Sequence, residues 1–130
     1  MLITQLKRYA HLYAKTADGA WLNDFDWQKV KLVTVSEFPS EATMGMYSFG
    51  KIIVRDTNIE LVFSTYIHEL YHQWQKHQSL TQYVAGKFLR LAKVTLAVFG
   101  VTYDPRFERE ADVETVKADE FINKEIQKGV

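Results

Sequence analysis

The sequence predicts a single α+β domain in which a small β-sheet packs against helices. The chain has 130 residues, the usual length of one domain, and 47% of them are hydrophobic, enough to form a core. Segments with β-strand character occur only in the first half, and helical patterns lie before and after them. No linker, internal repeat or low-complexity tract interrupts the chain. We therefore predict that residues 1–130 form one domain.

The N-terminal segment has the pattern of an amphipathic helix. Across residues 2–16, large apolar side chains recur three or four positions apart, which places them on one helical face. They are Leu2, Leu6, Tyr9 and Tyr13. Asp18 and Gly19 are typical of a turn, so the helix is predicted to end before them.

Two segments rich in β-branched and aromatic residues predict strands. The first covers residues 30–35 and the second residues 46–54, and a proline at position 39 separates them. Gly45 and Gly50 indicate a turn and a bulge at the second strand. We expect the two strands to be neighbours in one sheet.

Three further helices are predicted in the second half of the chain. Thr57 and Glu60 have the spacing of a capping box, which begins a helix over about 58–76. A second helix covers about 80–99. An aspartate followed by a proline is typical of a helix start, so the last helix covers about 105–128.

The overall composition excludes several classes of function. Lysine plus arginine equals aspartate plus glutamate, 16 of each, and no basic run is present, so we expect no nucleic-acid partner. Cysteine is absent, which excludes disulfides and thiolate-ligated metal sites. The three tryptophans are predicted to anchor the core.

The location of the protein is predicted from two segments. Residues 83–103 are strongly apolar but carry three basic residues along one stripe, so we expect a mostly buried amphipathic helix rather than a membrane span. The N-terminus is amphipathic and lacks the pattern of a signal peptide, so the cytoplasm is the expected compartment. The sequence does not define an oligomeric state.

The most specific motif is HELYH at positions 68–72, an H-E-x-x-H pattern inside the predicted helix 58–76. Residues four apart share a helical face, so His68 and His72 can bind one zinc ion. Glu69 can reach a water on that ion without being a ligand, which makes it the candidate general base.

A catalytic zinc ion requires a third protein ligand. EREAD at positions 108–112 opens the last helix, where Glu108 and Asp112 are one turn apart on a shared face. Glu108 is the preferred ligand, and Asp112 can accept the second N–H of a ligand histidine. Glu110 ranks second because it points away from Asp112. His77 would point to the far side of its helix. His11 remains an alternative third ligand, although no motif marks it.

These two motifs together resemble those of a known family. H-E-x-x-H followed on a later helix by E-x-x-A-D is similar to the gluzincins, and the compact size is similar to the single-domain minigluzincins. The resemblance implies a zincin-like fold with the metal site on one helix and the helix that follows it. It also implies zinc as cofactor, hydrolysis of peptide bonds, Glu108 as third ligand and Asp112 beside a ligand histidine.

The resemblance further implies how a substrate binds. In that fold a strand before the metal-binding helix lines the cleft and pairs with an extended peptide. The matching segment is 46–54, in particular Tyr47, Ser48 and Phe49. The family's oxyanion-stabilising residue has Tyr103 as its first candidate here, with Tyr83 and His77 as alternatives.

Two other classes of function are compatible with the sequence. A zinc-binding protein with a zincin fold and no turnover would regulate or bind a partner. In a structural or interaction protein without metal, the same helices would only support the fold and would bind no zinc. The zinc-dependent peptidase acting on a peptide or protein substrate is the preferred hypothesis.

Overall fold

A computed structural model describes residues 1–38, 43–48, 50–86 and 105–128. These ranges contain three α-helices, two short 3₁₀ turns and one three-stranded sheet, which confirms the α+β class. The order along the chain is α1 (Leu2–Ala14), the 3₁₀ turns Ala20–Asp24 and Trp27–Lys29, β1 (Lys31–Val35), β2 (Gly45–Ser48), β3 (Lys51–Arg55), α2 (Ile59–Gly86) and α3 (Pro105–Lys128).

The sheet has the order β1-β3-β2, with β1 parallel and β2 antiparallel to β3. Ile52 in β3 is therefore the register partner of both Leu32 and Tyr47. The prediction of one strand over 46–54 is wrong, because the segment forms the hairpin of β2 and β3. Gly50 has a φ of 81° in the connection, a conformation that glycine adopts without steric cost and that allows the chain to reverse.

The core lies between α1, the sheet and one face of α2, and α3 closes it. Phe63 of α2 is fully buried, and its ring is 6.2 Å from Tyr13 of α1 and 5.9 Å from Phe121 of α3, measured between centroids. Residues at helical spacing on α2 share this face: Val62, Phe63, Tyr66, Ile67 and Leu70. Packing in the core thus fixes the position and rotation of α2 relative to its neighbours. Residues 68–72 lie at the end of this packed face.

The helix α2 is longer than its sequence pattern predicts. The prediction separated helices at 58–76 and 80–99, but the described backbone is continuous from Ile59 to Gly86. No glycine or proline lies between these two residues, so nothing in the sequence ends the helix earlier. The remainder of the predicted second helix lies outside the described residues. Among the described residues, no helix is both long and apolar enough to cross a membrane.

A buried carboxylate joins α1, the first 3₁₀ turn and α3. Glu114 is 4% exposed. Its two carboxylate oxygens accept hydrogen bonds from the Tyr13 hydroxyl at 3.2 Å and from the Trp21 indole N–H at 2.6 Å. Burial raises the pKa of Glu114, and the hydrogen bonds and Lys117 oppose that shift only in part. The ionised form of this residue therefore opposes folding relative to the protonated form.

The raised pKa of Glu114 predicts a pH dependence of stability. The contribution of Glu114 is most favourable below the pKa of an unfolded glutamate, about 4.3, and is lost as the pH rises through its raised folded-state pKa. Glu114→Gln removes this titration and keeps an acceptor for Trp21. In thermal unfolding with a chelator present, we expect the variant to become more stable relative to the wild type as the pH rises to 7. A difference that stays flat or shrinks would contradict the assignment.

Candidate metal centre

The two histidines of the H-E-x-x-H motif converge on one face of α2. The distance between His68 Nε2 and His72 Nε2 is 3.1 Å, and the ring centroids are 4.7 Å apart. The side chains are 18% and 21% exposed, so both are held by packing and still reachable from solvent. The i, i+4 spacing in a helix that the core fixes is sufficient for this convergence.

The helix α3 adds a carboxylate to the same point. Glu108 Oε1 lies 2.8 Å from His72 Nε2, and Glu108 Oε2 lies 3.7 Å from His68 Nε2. One ligand atom from each of the three residues lies within 4.8 Å of the others. The structure thus brings together His68, His72 and Glu108.

The hydrogen bonds of His68 define its tautomer. His68 Nδ1 is 2.8 Å from Thr115 Oγ1. The Thr115 hydroxyl donates its single proton to the carbonyl oxygen of Ala111, also at 2.8 Å. It can therefore only accept from His68, so Nδ1 carries the proton and Nε2 presents a lone pair.

A second hydrogen-bonded chain defines the tautomer of His72. Its Nδ1 lies 2.9 Å from Gln75 Oε1, and Gln75 Nε2 donates to Glu110 Oε2 at 3.3 Å. Because the carboxylate of Glu110 can only accept, the amide of Gln75 turns its oxygen towards His72. The Nδ1 of His72 is then the donor, and Nε2 again presents a lone pair.

This donor set fits a divalent cation. Two imidazole lone pairs face each other at 3.1 Å beside a carboxylate oxygen, an arrangement that is repulsive without a positive charge between the atoms. In a tetrahedral zinc site with bonds of about 2.0–2.1 Å, ligand atoms lie about 3.3 Å apart. Two histidines and one carboxylate are also the ligand set of catalytic zinc sites that keep an open fourth position.

The sequence missed the residues that make hydrogen bonds to the two histidines of the cluster. Asp112 is predicted in that role, but its Oδ1 is 4.0 Å from His68 Nδ1, beyond hydrogen-bond distance, and Thr115 makes the bond instead. Glu110 contacts Gln75 rather than the histidines. The available signal was spacing, since Thr115 follows Glu108 by two helical turns and Gln75 follows His72 by one.

Glu69 lies beside His68, His72 and Glu108, half-buried on the side of α2 that faces β2. Two contacts define that side. A Cβ at Gly45 of β2 would come within 2.7 Å of Thr65, and the Lys76 ammonium is 5.0 Å from the centre of the Tyr47 ring. Burial is the main cause that raises the pKa of Glu69, and Glu108 raises it further, while Lys76 and the protonated forms of the two histidines lower it.

The structure describes only part of the predicted substrate strand. Tyr47 and Ser48 lie in β2, which is an edge strand of the sheet in the described part of the chain. Phe49 and Tyr103 lie outside the described residues, as does the side chain of Tyr83. The oxyanion-stabilising role of Tyr103 therefore stays a prediction.

The two remaining histidines are not part of this cluster. His11 packs against Trp27 with 4.8 Å between ring centroids, and His77 packs against Phe25 at 6.2 Å. Neither belongs to the group of possible metal ligands found among the described residues.

No protein-family model, curated protein or solved structure gives a significant match to this chain. A functional assignment therefore rests on the geometry of the described residues.

The two orienting hydrogen bonds predict a loss of metal affinity when they are removed. Thr115→Val and Gln75→Leu keep the approximate volume of each side chain and leave a histidine Nδ1–H without its partner. We expect each variant to bind zinc about 10–100-fold more weakly, as measured by competition with a chromogenic chelator. Thr4→Val, at an exposed position of α1, is the matched control. Wild-type affinity in both site variants would show that these bonds do not tune the site.

Proposed function

We propose that the protein is a zinc-dependent peptidase, with His68, His72 and Glu108 as ligands and Glu69 as general base. The observation that carries the proposal is the convergence of two imidazole lone pairs and a carboxylate within 4.8 Å. The carboxylate of Glu69, which lies nearby and is not one of the proposed ligands, can accept the proton that the attacking water must lose.

The chemistry divides between the cofactor and the chain. When bound, zinc supplies Lewis acidity, which lowers the pKa of a water to about 7 and polarises a carbonyl group. Glu69 accepts a proton from the attacking water and passes it to the nitrogen of the leaving amine. The half-buried position of Glu69 beside His68, His72 and Glu108 suits this role, because a general base must lie within hydrogen-bond reach of the proton that it accepts.

The substrate of this proposal is an extended peptide. The strand β2 borders the stripe of α2 that carries Thr65, Glu69 and Lys76, as the contacts of Gly45 and Tyr47 indicate. An extended peptide can add to such an edge through backbone hydrogen bonds. We propose that residues of β2, including Tyr47 and Ser48, align the peptide beside Glu69. The proposed compartment is the cytoplasm.

The test is metal content followed by cleavage. Protein purified without a metal-affinity tag should contain one zinc per chain by mass spectrometry. A diverse peptide library should then be cut, a chelator should stop the cutting, and zinc should restore it. No zinc after incubation with excess zinc would overturn the proposal.

The second candidate is a zinc-binding regulatory or interaction protein without turnover. The observation that favours it is that His11 and His77, which pack against Trp27 and Phe25, do not belong to the described cluster, so the cluster contains no additional imidazole that could stabilise an oxyanion. This candidate predicts stoichiometric zinc and no cleavage anywhere in the library. Cleavage that follows zinc content would eliminate it.

A further inference from the structure

A cavity lies on the side of α2 that faces away from Glu69. Tyr71 and Trp74 line it. Because successive residues of a helix are rotated by about 100°, these two side chains lie about 140–160° around the helix axis from Glu69. The cavity is open to solvent and has a volume of about 270 Å³. Drug-sized ligands usually occupy pockets of about 300–1,000 Å³, so this one suits a single side chain. Trp21, Val113 and the charged residues Asp18, Glu110, Glu114 and Lys117 complete the lining.

Three aromatic rings form the walls of this cavity. The ring centroid of Tyr71 is 4.9 Å from that of Trp21 and 5.2 Å from that of Trp74. The planes of Trp21 and Tyr71 are nearly perpendicular, at 88°, so the rings border the cavity with different orientations. Aromatic faces attract cations through the negative potential of the ring.

The charges around the cavity are mainly negative. Three carboxylates line it with one ammonium, and Lys117 Nζ is 3.9 Å from Asp18 Oδ1. Glu114 is buried with two neutral donors, and in the described part of the chain no lysine or arginine is within ion-pair distance of it. A cation in the cavity would offset the charge of these carboxylates.

We propose that this cavity binds the cationic side chain of a polypeptide, an arginine or a lysine. Both side chains combine an apolar stem, which packs on aromatic rings, with a positive head that can reach Asp18 and Glu110. An anionic side chain would be repelled, and a neutral one would leave the carboxylates uncompensated. None of its lining residues is a proposed zinc ligand or the base, and binding is measured on the metal-free protein because Glu110 also accepts a hydrogen bond from Gln75, which contacts His72.

The experiment measures binding of three blocked amino acids to the metal-free protein. The acetylated amides of arginine, lysine and norleucine are titrated by calorimetry with a chelator present. We expect the two cations to bind with millimolar affinity and the neutral norleucine derivative at least about tenfold more weakly. Quenching of tryptophan fluorescence provides a second readout, since Trp21 and Trp74 line the cavity.

Charge-neutral variants locate the binding site. The double variant Asp18→Asn, Glu110→Gln should lower the affinity for the arginine derivative at least about tenfold with little change in volume. Asp26→Asn is the matched control, because Asp26 also pairs with a lysine, Lys29 at 3.4 Å, but does not line the cavity. Circular dichroism verifies that the variants fold.

Three results would overturn the proposal. The first is that the norleucine derivative binds as tightly as the arginine derivative. The second is that neither cationic derivative binds at about ten times the expected millimolar concentration. The third is an unchanged affinity in the double variant. Zinc content and peptide cleavage are measured separately on the same preparations, so failure of the cavity proposal and failure of the peptidase proposal give different results.

Discussion

Replacing Glu69 by glutamine is expected to reduce peptide hydrolysis by about 10²–10⁴-fold while zinc stays bound, because a positioned general base contributes that much to the rate. Glutamine has nearly the same shape as glutamate but cannot accept and return a proton. Glu69 is not among the three convergent residues that could hold a metal ion, so its replacement leaves the proposed metal-binding atoms in place. The measurement is kcat on the best peptide of the library, with zinc content determined on the same samples.

The matched control for this experiment lies on the same helix. Glu60→Gln makes the identical chemical change at an exposed position in the first turn of α2. Its hydrolysis rate should equal that of the wild type, because Glu60 is two turns away from the ligands. If Glu69→Gln retains full activity with zinc bound, another group transfers the proton and the assignment of the base is wrong.

The sequence was sufficient for the local part of the candidate site. His68 and His72 converge because of a spacing within one helix, and that helix forms where the pattern predicts it. The position of Glu108 was predictable to the extent that its motif opens a helix, and α3 has the predicted bounds. The approach of α3 to α2 depends on core packing between distant residues, which the local pattern does not contain.

The same reason explains which residues the sequence missed. Thr115 contacts His68 only because α3 packs against α2, and the amide of Gln75, which lies on the same helix as His72, is oriented by Glu110 of α3. Helical spacing relates these residues to the motifs but does not mark a threonine or a glutamine as an orienting residue. The hairpin of β2 and β3 was missed because residues with high β-propensity lie on both sides of Gly50, so the glycines were interpreted as a turn and a bulge of one strand, whereas the positive φ of Gly50 allows the chain to reverse. Local propensity does not reveal such a reversal.

The tryptophans also show that a local sequence pattern does not predict tertiary packing, here around the cavity. All three are predicted as core anchors, and this is right for Trp27, which is buried. Trp21 and Trp74 are only partly buried and line the cavity beside Tyr71. Hydrophobicity alone predicts burial for all three, whereas the position of the first 3₁₀ turn against α2 determines which rings remain accessible.

Removing the carboxylate of Glu108 should have the largest effect on metal binding. Structural zinc sites with four ligands bind with about 10–16 kcal/mol, so each ligand contributes about 3 kcal/mol, or more than about 100-fold in affinity. Glu108→Ala should therefore lose zinc during purification and bind it more than about 100-fold more weakly in competition with a chelator. Glu120→Ala, at an exposed position on the same helix, is the control and should retain one zinc.

The comparison of Glu108→Ala with the wild type separates the possible roles of the cluster. Glu108 is exposed and contacts both imidazoles, so its removal alters the cluster without opening the core. If zinc affinity falls and the thermal stability of the metal-free protein is unchanged, the carboxylate serves the metal. If zinc binding is unaffected, the third ligand is another residue, and Glu110, which lies two positions further along α3 and already contacts Gln75, is the next variant to measure.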